Sequence, residues 1–591
     1  MKAEPNNERL GQPWSRRAFL RRAGGAVIGG AAIPLILAAC GGSAAPASSS
    51  APASSAAPAA SSAAASAAPA SAAASSSAAA STSAAASPSG APVGNPGAPT
   101  GTLRYASNDF STQSMDPIIG NASVWSLAMT DSLITHDAQG HYAPNVADSF
   151  DVSPDGLTWT LKIHPGIKFH NGDPLTSEDV LFSLQHFGVK SSTNPWSPYV
   201  IADATDITAP DPLTVIYKLK APELAIREPF TQTQILPKNY FNKVGEDGYV
   251  KAPVGSGPWK FGSFTPKTSM TFNANTNYWG PKPWWNQVTE TLVPEEATRI
   301  AQLQRGDVDI IGALTTDNLL ALKGKGFRVQ QVGLKSLANI SFSGTWMTKG
   351  PTSDIRVRQA MSYAINRQEI CDTFYRGLAN PGGWWFWSTE TWAHDVDPAS
   401  WVAPPYDVAK AKALLSAAGY PGKFTPQAIT LNTPAGPAAD LMQVLQGYWQ
   451  KVGINVNIKV IDTAVYFGMI FKRATKPTDP IVGTVWPWGP FPSFFNNVYH
   501  SANMFTSVGV HTTGNDPKAD QMYQAAVHEP DETKAKQLWN AFMHYGYDTM
   551  WINVPIVELP TNFLVGSKVG TFSLHANTAL EQAYVGIEHA K

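Results

Sequence analysis

An α/β fold is predicted for this 591-residue chain, and three observations predict it. Along residues 101–591 the apolar spacing switches repeatedly between period two and period 3.6, so strands and helices interleave. The switches fall at Gly, Pro, Asn and Asp turn residues. The stretch is too long for one small domain and suits two or three, each with its own core.

The elements follow in order. In "SPDGLTWTLKI", Asp155-Gly156 marks a turn, and Leu157, Trp159, Leu161 and Ile163 alternate behind it, as in a hairpin with one buried face. "HNGDP" is a second turn. In "LTSEDVLFSLQHF" the period changes. Thr176 caps a helix, Glu178 and Asp179 suit its first turn, and Val180, Leu184 and Phe187 share a face. "PEEATRIAQLQRG" reads as a helix from Pro294 to a stop at Gly306. "NRQEICDTFY" offers Asn366 and Glu369 as a capping box, and "YDVAKAKALLSAAGY" runs from an Asp407 cap to a Gly419 stop. "LMQVLQGYWQKVGINVNIKVID" is a helix, a Gly453 stop, then a strand alternating Val456, Ile458 and Val460.

The stretch before residue 101 is of another kind. Arg16, Arg17, Arg21 and Arg22 precede an apolar run from Ala23 to Ala39, which is shorter and less greasy than the about 20 residues of a spanning helix. "SRRAFL" resembles the twin-arginine export motif, and "LAAC" resembles a lipoprotein processing box. That resemblance implies a signal peptide over 1–39, cleavage before Cys40 and acylation of its sulfur. The body is then expected at the outer face of the cytoplasmic membrane or in the periplasmic space, lipid-anchored. Residues 41–100 are almost entirely Ala, Ser, Pro and Gly, uncharged and without aromatics. They cannot bury enough apolar surface to offset backbone entropy, so 40–100 reads as a lipidated Cys and a tether. A flexible coil of about 60 residues has ends roughly 45 Å apart; a glycosylated stalk is the alternative.

Composition excludes more than it names. The chain holds 43 Lys+Arg against 44 Asp+Glu, and no basic run stands in the body, so no nucleic acid is expected as a partner. It has 2 Cys, so with Cys40 acylated Cys371 has no intrachain partner and reads as an inert buried thiol. There is no HExxH, GxSxG, phosphate-binding loop or SxxK. "VGSGPW" is Gly-rich but lacks dinucleotide-loop spacing. The 12 His fall in no metal-ligand spacing. No catalytic residue, metal or cofactor is therefore expected. The unusual count is Trp, at 19.

Six blocks carry a resemblance. "MDPIIGN…LITHDAQGHYAPNVADSFDVSPDGLTWTLKIHPGIKFHNGDPLTSEDVLFSL", "PVGSGPWKF", "NANTNYWGPKPWWNQV", "LQRGDVDII", "SDIRVRQAMSYAINRQEI" and "DVAKAKALLSAAGY" resemble, in that order, the family 5 solute-binding proteins of ABC importers, the peptide and nickel group. The resemblance implies a two-lobed periplasmic-binding-protein-like fold of type II, cluster C. Lobe one would comprise 101–145, 253–335 and 555–591, with an extra subdomain at 146–252; lobe two would comprise 336–554. A peptide-sized solute would sit between the lobes of a monomer and pass to permease subunits, with no bond made or broken. The alternatives are a lipoprotein that senses or scavenges without transport, and a secreted glycan hydrolase.

In peptide-binding relatives an aspartate of lobe two pairs with the peptide's amino terminus. The corresponding stretch is "VWPWGPFPSFFNN", with Gly489 and Pro490 where the acid is expected. A buried ammonium without a counter-charge costs several kcal/mol. Trp486, Trp488 and Phe494 in that stretch, with Trp384, Trp385 and Trp387 of "GGWWFW", offer ring faces instead, suited to sugars, aromatic solutes or cations. Some of these rings are expected to fill the core. Asn108 and Asp109 of "SNDF", and Trp346 of "SFSGTW", are the remaining expected lining residues.

Overall fold

The computed structural model describes residues 95–590 except 111–112, 120–123, 138–141, 190, 193, 195–199, 201–203, 326, 343–349, 383–401, 425–426, 435–436, 462–516, 552 and 573–583. Among them, no helix is long and apolar enough to cross a membrane.

The central sheet runs in the order Arg328–Ser341, Asn553–Val565, Ile310–Ile311, Thr102–Ser107, Gln287–Leu292, Ser269–Ala274, Trp259–Thr265. Thr102–Ser107 lies at its middle, parallel to both neighbours. Strands buried on both faces are read as apolar throughout, and Leu103, Ala106, Val288, Ile310 and Ile311 are fully buried. One side of the sheet packs Trp125, Trp259, Phe272 and Tyr584; the other packs Leu303, Leu319 and Leu322 of the helices Glu296–Arg305 and Thr316–Gly324.

A second core gathers Ala338, Ile340, Val357, Met361, Leu415, Leu431, Leu445, Trp449 and Ile556. It holds the parallel strands Ile429–Pro434 and Val456–Ile461 and the helices Ile355–Tyr363, Val408–Ala418 and Pro437–Lys451. One antiparallel pair, Arg328–Ser341 against Asn553–Val565, joins the two cores. At one end Asn553–Val565 pairs with Ile310–Ile311; at the other it pairs with Asn380–Pro381. The register of the long pair slips twice. Val332 and Lys335 face the consecutive Thr561 and Pro560, and Ala338 and Asn339 face Val557 and Pro555. Each slip is a bulge, which bends a ribbon.

A third core lies under a four-stranded antiparallel sheet, Ala147–Val152, Thr158–Ile163, Thr214–Leu219, Ala204–Asp211. Here the expected hairpin forms. Trp159, Leu161 and Ile163 are buried, and Gly156 stands at φ 72° in the turn, where a side chain would also collide with Pro222. The helix Ser177–Phe187 begins as expected, with Thr176 N donating to Asp179 Oδ2 at 2.9 Å. The same cluster includes Ala519, Tyr523, Trp539 and Phe542 of the helices Pro517–Val527 and Glu532–His544.

Other expected starts and stops also form, except that the helix expected from Pro294 begins at Glu296. Lys410 N donates to Asp407 Oδ1 at 2.8 Å, and Gly419 and Gly306 close their helices. The helix expected after Asn366 differs in part. Its cap is made, with Glu369 N bonded to Asn366 Oδ1 at 3.1 Å, but after Glu369 the turn widens, and Tyr375 N reaches back to Ile370 O at 3.1 Å. The strand after Gly453 forms, yet Val460 is 53 % exposed, so the alternating face is covered only at Val456 and, in part, Ile458.

Candidate functional site

In an open α/β sheet, ligands gather outside the carboxyl ends of parallel strands, where connections diverge to opposite sides. Thr102–Ser107 is that strand here. Its neighbours both run parallel to it; the chain leaves Thr102–Ser107 for the helix Val124–Met129, whose Trp125 packs on one side of the sheet, and leaves Gln287–Leu292 and Ile310–Ile311 for the helices Glu296–Arg305 and Thr316–Gly324, which pack on the other. At its exit stand Asn108 and Asp109, both exposed, directly after the buried Ser107. The exit is fixed by its backbone. Ser107 Oγ donates to Asp109 O at 2.8 Å, and Val293 N donates to Ser107 O at 2.8 Å. Phe110, buried edge-to-face on Trp125 at 4.9 Å, anchors the chain just beyond. The structure thus places Asn108 and Asp109 together, exposed, at the carboxyl end of the central parallel strand. Trp346, Trp384, Trp385, Trp387, Trp486, Trp488, Phe494 and Cys40 lie outside the described residues.

Among the described residues, most of the tryptophans serve packing. Trp125, Trp159, Trp259 and Trp449 are among the largest fully buried side chains. Trp125 Nε1 donates to Glu290 at 2.9 Å, Trp449 Nε1 to Met361 O at 3.0 Å, and Trp285 Nε1 to Ile587 O at 2.8 Å. A buried indole N–H usually finds such a partner; those of Trp159 and Trp259 have none among the described residues.

The resemblance blocks turn out to build the frame around the edge. Gly255 and Gly257 of "VGSGPW" run so close to the Met129 carbonyl that a Cβ on either would clash with it. Between them Ser256 Oγ donates to the buried Asp131 at 2.8 Å, which also accepts from Tyr278 OH at 2.7 Å and Trp279 Nε1 at 3.0 Å. Burial raises the Asp131 pKa, and these three donors oppose that rise. His170 of "HNGD" clasps the same loop, and burial lowers its pKa to about 4. The "RVRQAMSYAINR" block supplies two buried cations held by carbonyls. Arg358 binds Trp551 O at 2.9 Å and Thr352 O at 2.7 Å; Arg367 binds Pro555 O at 2.8 Å and Pro404 O at 3.1 Å. Both thereby fasten helices of the second core to the start of Asn553–Val565. Burial lowers the Arg358 pKa to about 10, which leaves it charged at neutral pH.

Sequence reasoning missed the joining pair as a functional part, although the boundaries 335/336 and 554/555 fall inside its two strands. Its signal is weak, because neither strand alternates cleanly. No group of three or more His, Cys, Asp or Glu able to hold a metal occurs among the described residues.

A strand exit of this kind, near a pair of strands joining two cores, is a place where a ligand can bind, and the comparisons give the class of protein. Residues 141–506 match the model of bacterial extracellular solute-binding proteins, family 5 (middle region), and the chain belongs to that family. It is similar to the glutathione-binding protein GsiB of Pectobacterium atrosepticum, 27% identical over 449 residues, covering 71% of this chain and 80% of the relative. It is also similar to the nickel-binding periplasmic protein of Escherichia coli, 27% identical over 382 residues, 59% of this chain and 71% of that one. In structure it resembles the periplasmic binding protein DppA of Helicobacter pylori in complex with the peptide STSA, with a TM-score of 0.68 at 21% identity over 83% of this chain and 98% of that one. The fold is accordingly the two-lobed α/β fold of these proteins, and the relatives are solute-binding proteins, not enzymes.

Proposed function

We propose that this chain is the extracytoplasmic, lipid-anchored receptor of an ABC importer. It captures a peptide-sized solute between lobe one (101–145, 253–335 and 555–591, with the subdomain 146–252) and lobe two (336–554), and hands it to the permease subunits. The observation that carries this reading is the exposed Asn108–Asp109 exit of the parallel strands, one short strand away from the pair that joins the two cores. A bulged two-stranded connection bends without breaking either core, so the lobes close as rigid bodies around a solute. The glutathione, nickel and peptide named for the relatives support a small, polar solute class.

Recognition rests on ring stacking, because Gly489 and Pro490 stand where an anchoring acid would pair with a terminal ammonium. A desolvated stacked ring contributes about 0.5 to 2 kcal/mol. A thermal-shift screen over peptides, sugar conjugates and cationic solutes identifies the solute, since a ligand at 100 times its Kd stabilises the fold by about 2.7 kcal/mol. Calorimetry with that solute then expects Trp488→Ala to weaken binding roughly three- to thirty-fold. Tight binding of free peptides that N-acetylation abolishes, with Trp488→Ala silent, overturns the stacking reading and points to Asp109 as the anchor.

A further inference from the structure

The helical hairpin of Pro517–Val527 and Glu532–His544 links two bodies: its own apolar residues join the cluster under the four-stranded sheet, and the chain that follows it is tied to the second core. Its far end leads through Tyr545–Met550 to Trp551, which stacks on Tyr363 at 6.1 Å and whose carbonyl accepts from Arg358 Nε at 2.9 Å. The chain then enters Asn553–Val565, so this end is tied to the second core. The tip meets the subdomain that carries the four-stranded sheet instead. His528 Nδ1 lies 2.9 Å from Pro222 O, and Glu532 Oε2 lies 3.4 Å from Arg227 Nη1. Pro530 packs against the Asp155–Gly156 turn, where a methyl on Gly156 would stand 3.1 Å from Pro530 Cβ. Behind the tip, Tyr523, Trp539 and Phe542 pack edge-to-face in the same apolar cluster as Trp159 and Tyr217.

Arg227 is the informative partner. Its side chain is only 11% exposed. Nε donates to Leu224 O at 3.2 Å, the guanidinium stands 4.8 Å from the Tyr142 ring centre, and Nη2 has no acceptor among the described residues. The adjacent Glu228 is engaged by His136, Tyr142 and Thr231. Its own subdomain thus leaves a nearly buried cation short of acceptors, and a carboxylate from the hairpin supplies one, to Nη1. Such a cation is poorly placed alone and gains from a partner that arrives.

We propose that His528–Glu532 is a latch: lobe two carries it, and it closes on Pro222, Arg227 and the Gly156 turn of the subdomain, holding the lobes shut. The inference rests on the two-lobe closure put forward above. The latch contacts are made to Pro222, Arg227 and the Gly156 turn and not to Asn108 or Asp109, so it sets the open–closed balance without acting through the candidate solute residues.

The test measures distances by electron spin resonance in the full chain carrying Cys40→Ala, with no solute added. Nitroxide labels go at Thr208→Cys on the subdomain, Lys412→Cys on the second core and Gln537→Cys on the hairpin, all exposed positions. The 208–412 and 208–537 pairs are expected to show the same short and long populations. Glu532→Lys, which sets like charges opposite each other, and His528→Ala are each expected to lower the short fraction at least about threefold. Two populations at 208–412 that neither substitution shifts overturn the latch and leave lobe closure standing. A single 208–537 distance beside two 208–412 distances also overturns it, because the hairpin is then a fixed part of the subdomain. One unchanging distance for every pair and variant overturns closure and latch together.

Discussion

His170 shows how far one side chain is specified by its surroundings. Its Nδ1 accepts from Gly255 N–H at 3.2 Å, and its Nε2–H donates to Gly257 O at 2.9 Å. Only the neutral ring makes both bonds. Burial, the largest cause, takes its pKa from 6.5 to about 4, against the opposing effect of the Gly257 hydrogen bond. The unfolded chain therefore takes up the proton first as pH falls. The contribution of His170 is complete above about pH 6.5 and is lost progressively toward pH 4, at most about 3 kcal/mol in all. His170→Gln keeps a donor and an acceptor without titrating, so its Tm is expected to fall less than that of the wild type between pH 7 and 4.5. Equal falls in the two proteins would show that other groups carry the acid response. The residues of "HNGD" and "VGSGPW" were legible as turns in the sequence. That one clasps the other was not, because 85 positions separate His170 from Gly255 and nothing local marks the contact.

At the scale of elements, starts and stops were legible because capping is a local transaction. Thr176, Asn366 and Asp407 each bond within three residues of themselves. The joining pair was not legible, since strand pairing depends on a partner more than two hundred positions away. Its bulge carries a prediction. Deleting Gly333 and Leu334 removes two residues, which keeps every later side chain on its own face and makes Val332 and Lys335 consecutive, like Thr561 and Pro560 opposite them. A regular ribbon is stiffer than a bulged one. The deletion variant is expected to keep its cooperative melting but to lose the fall in radius of gyration on adding the solute found by thermal shift. Compaction equal to that of the wild type would place the bend elsewhere.

For the whole molecule, the proposed lipid attachment and the proposed capture are expected to be separable. A single acyl chain holds a protein only marginally, so lasting attachment takes two or more signals, which a diacylated Cys40 would meet under the proposed reading. Cys40→Ala is expected to move the mature protein from the membrane to the soluble fraction while leaving solute binding within about twofold, because a tether of Ala, Ser and Pro transmits no strain. Unchanged membrane partition would refute the lipoprotein reading. By itself, the sequence determined the α/β class, the helix caps, the turns and the lack of any catalytic motif, since each is set by neighbours in the chain. It also supplied the ordered blocks by which the family is known. Only the tertiary structure decided what those blocks do. Buried Arg358 and Arg367, Asp131 with its three donors and most of the described tryptophans are spent on the frame. The exposed Asn108–Asp109 edge and the bulged pair beside it exist only once distant strands are brought into register, because burial and pairing are properties of the folded chain and not of any stretch of it.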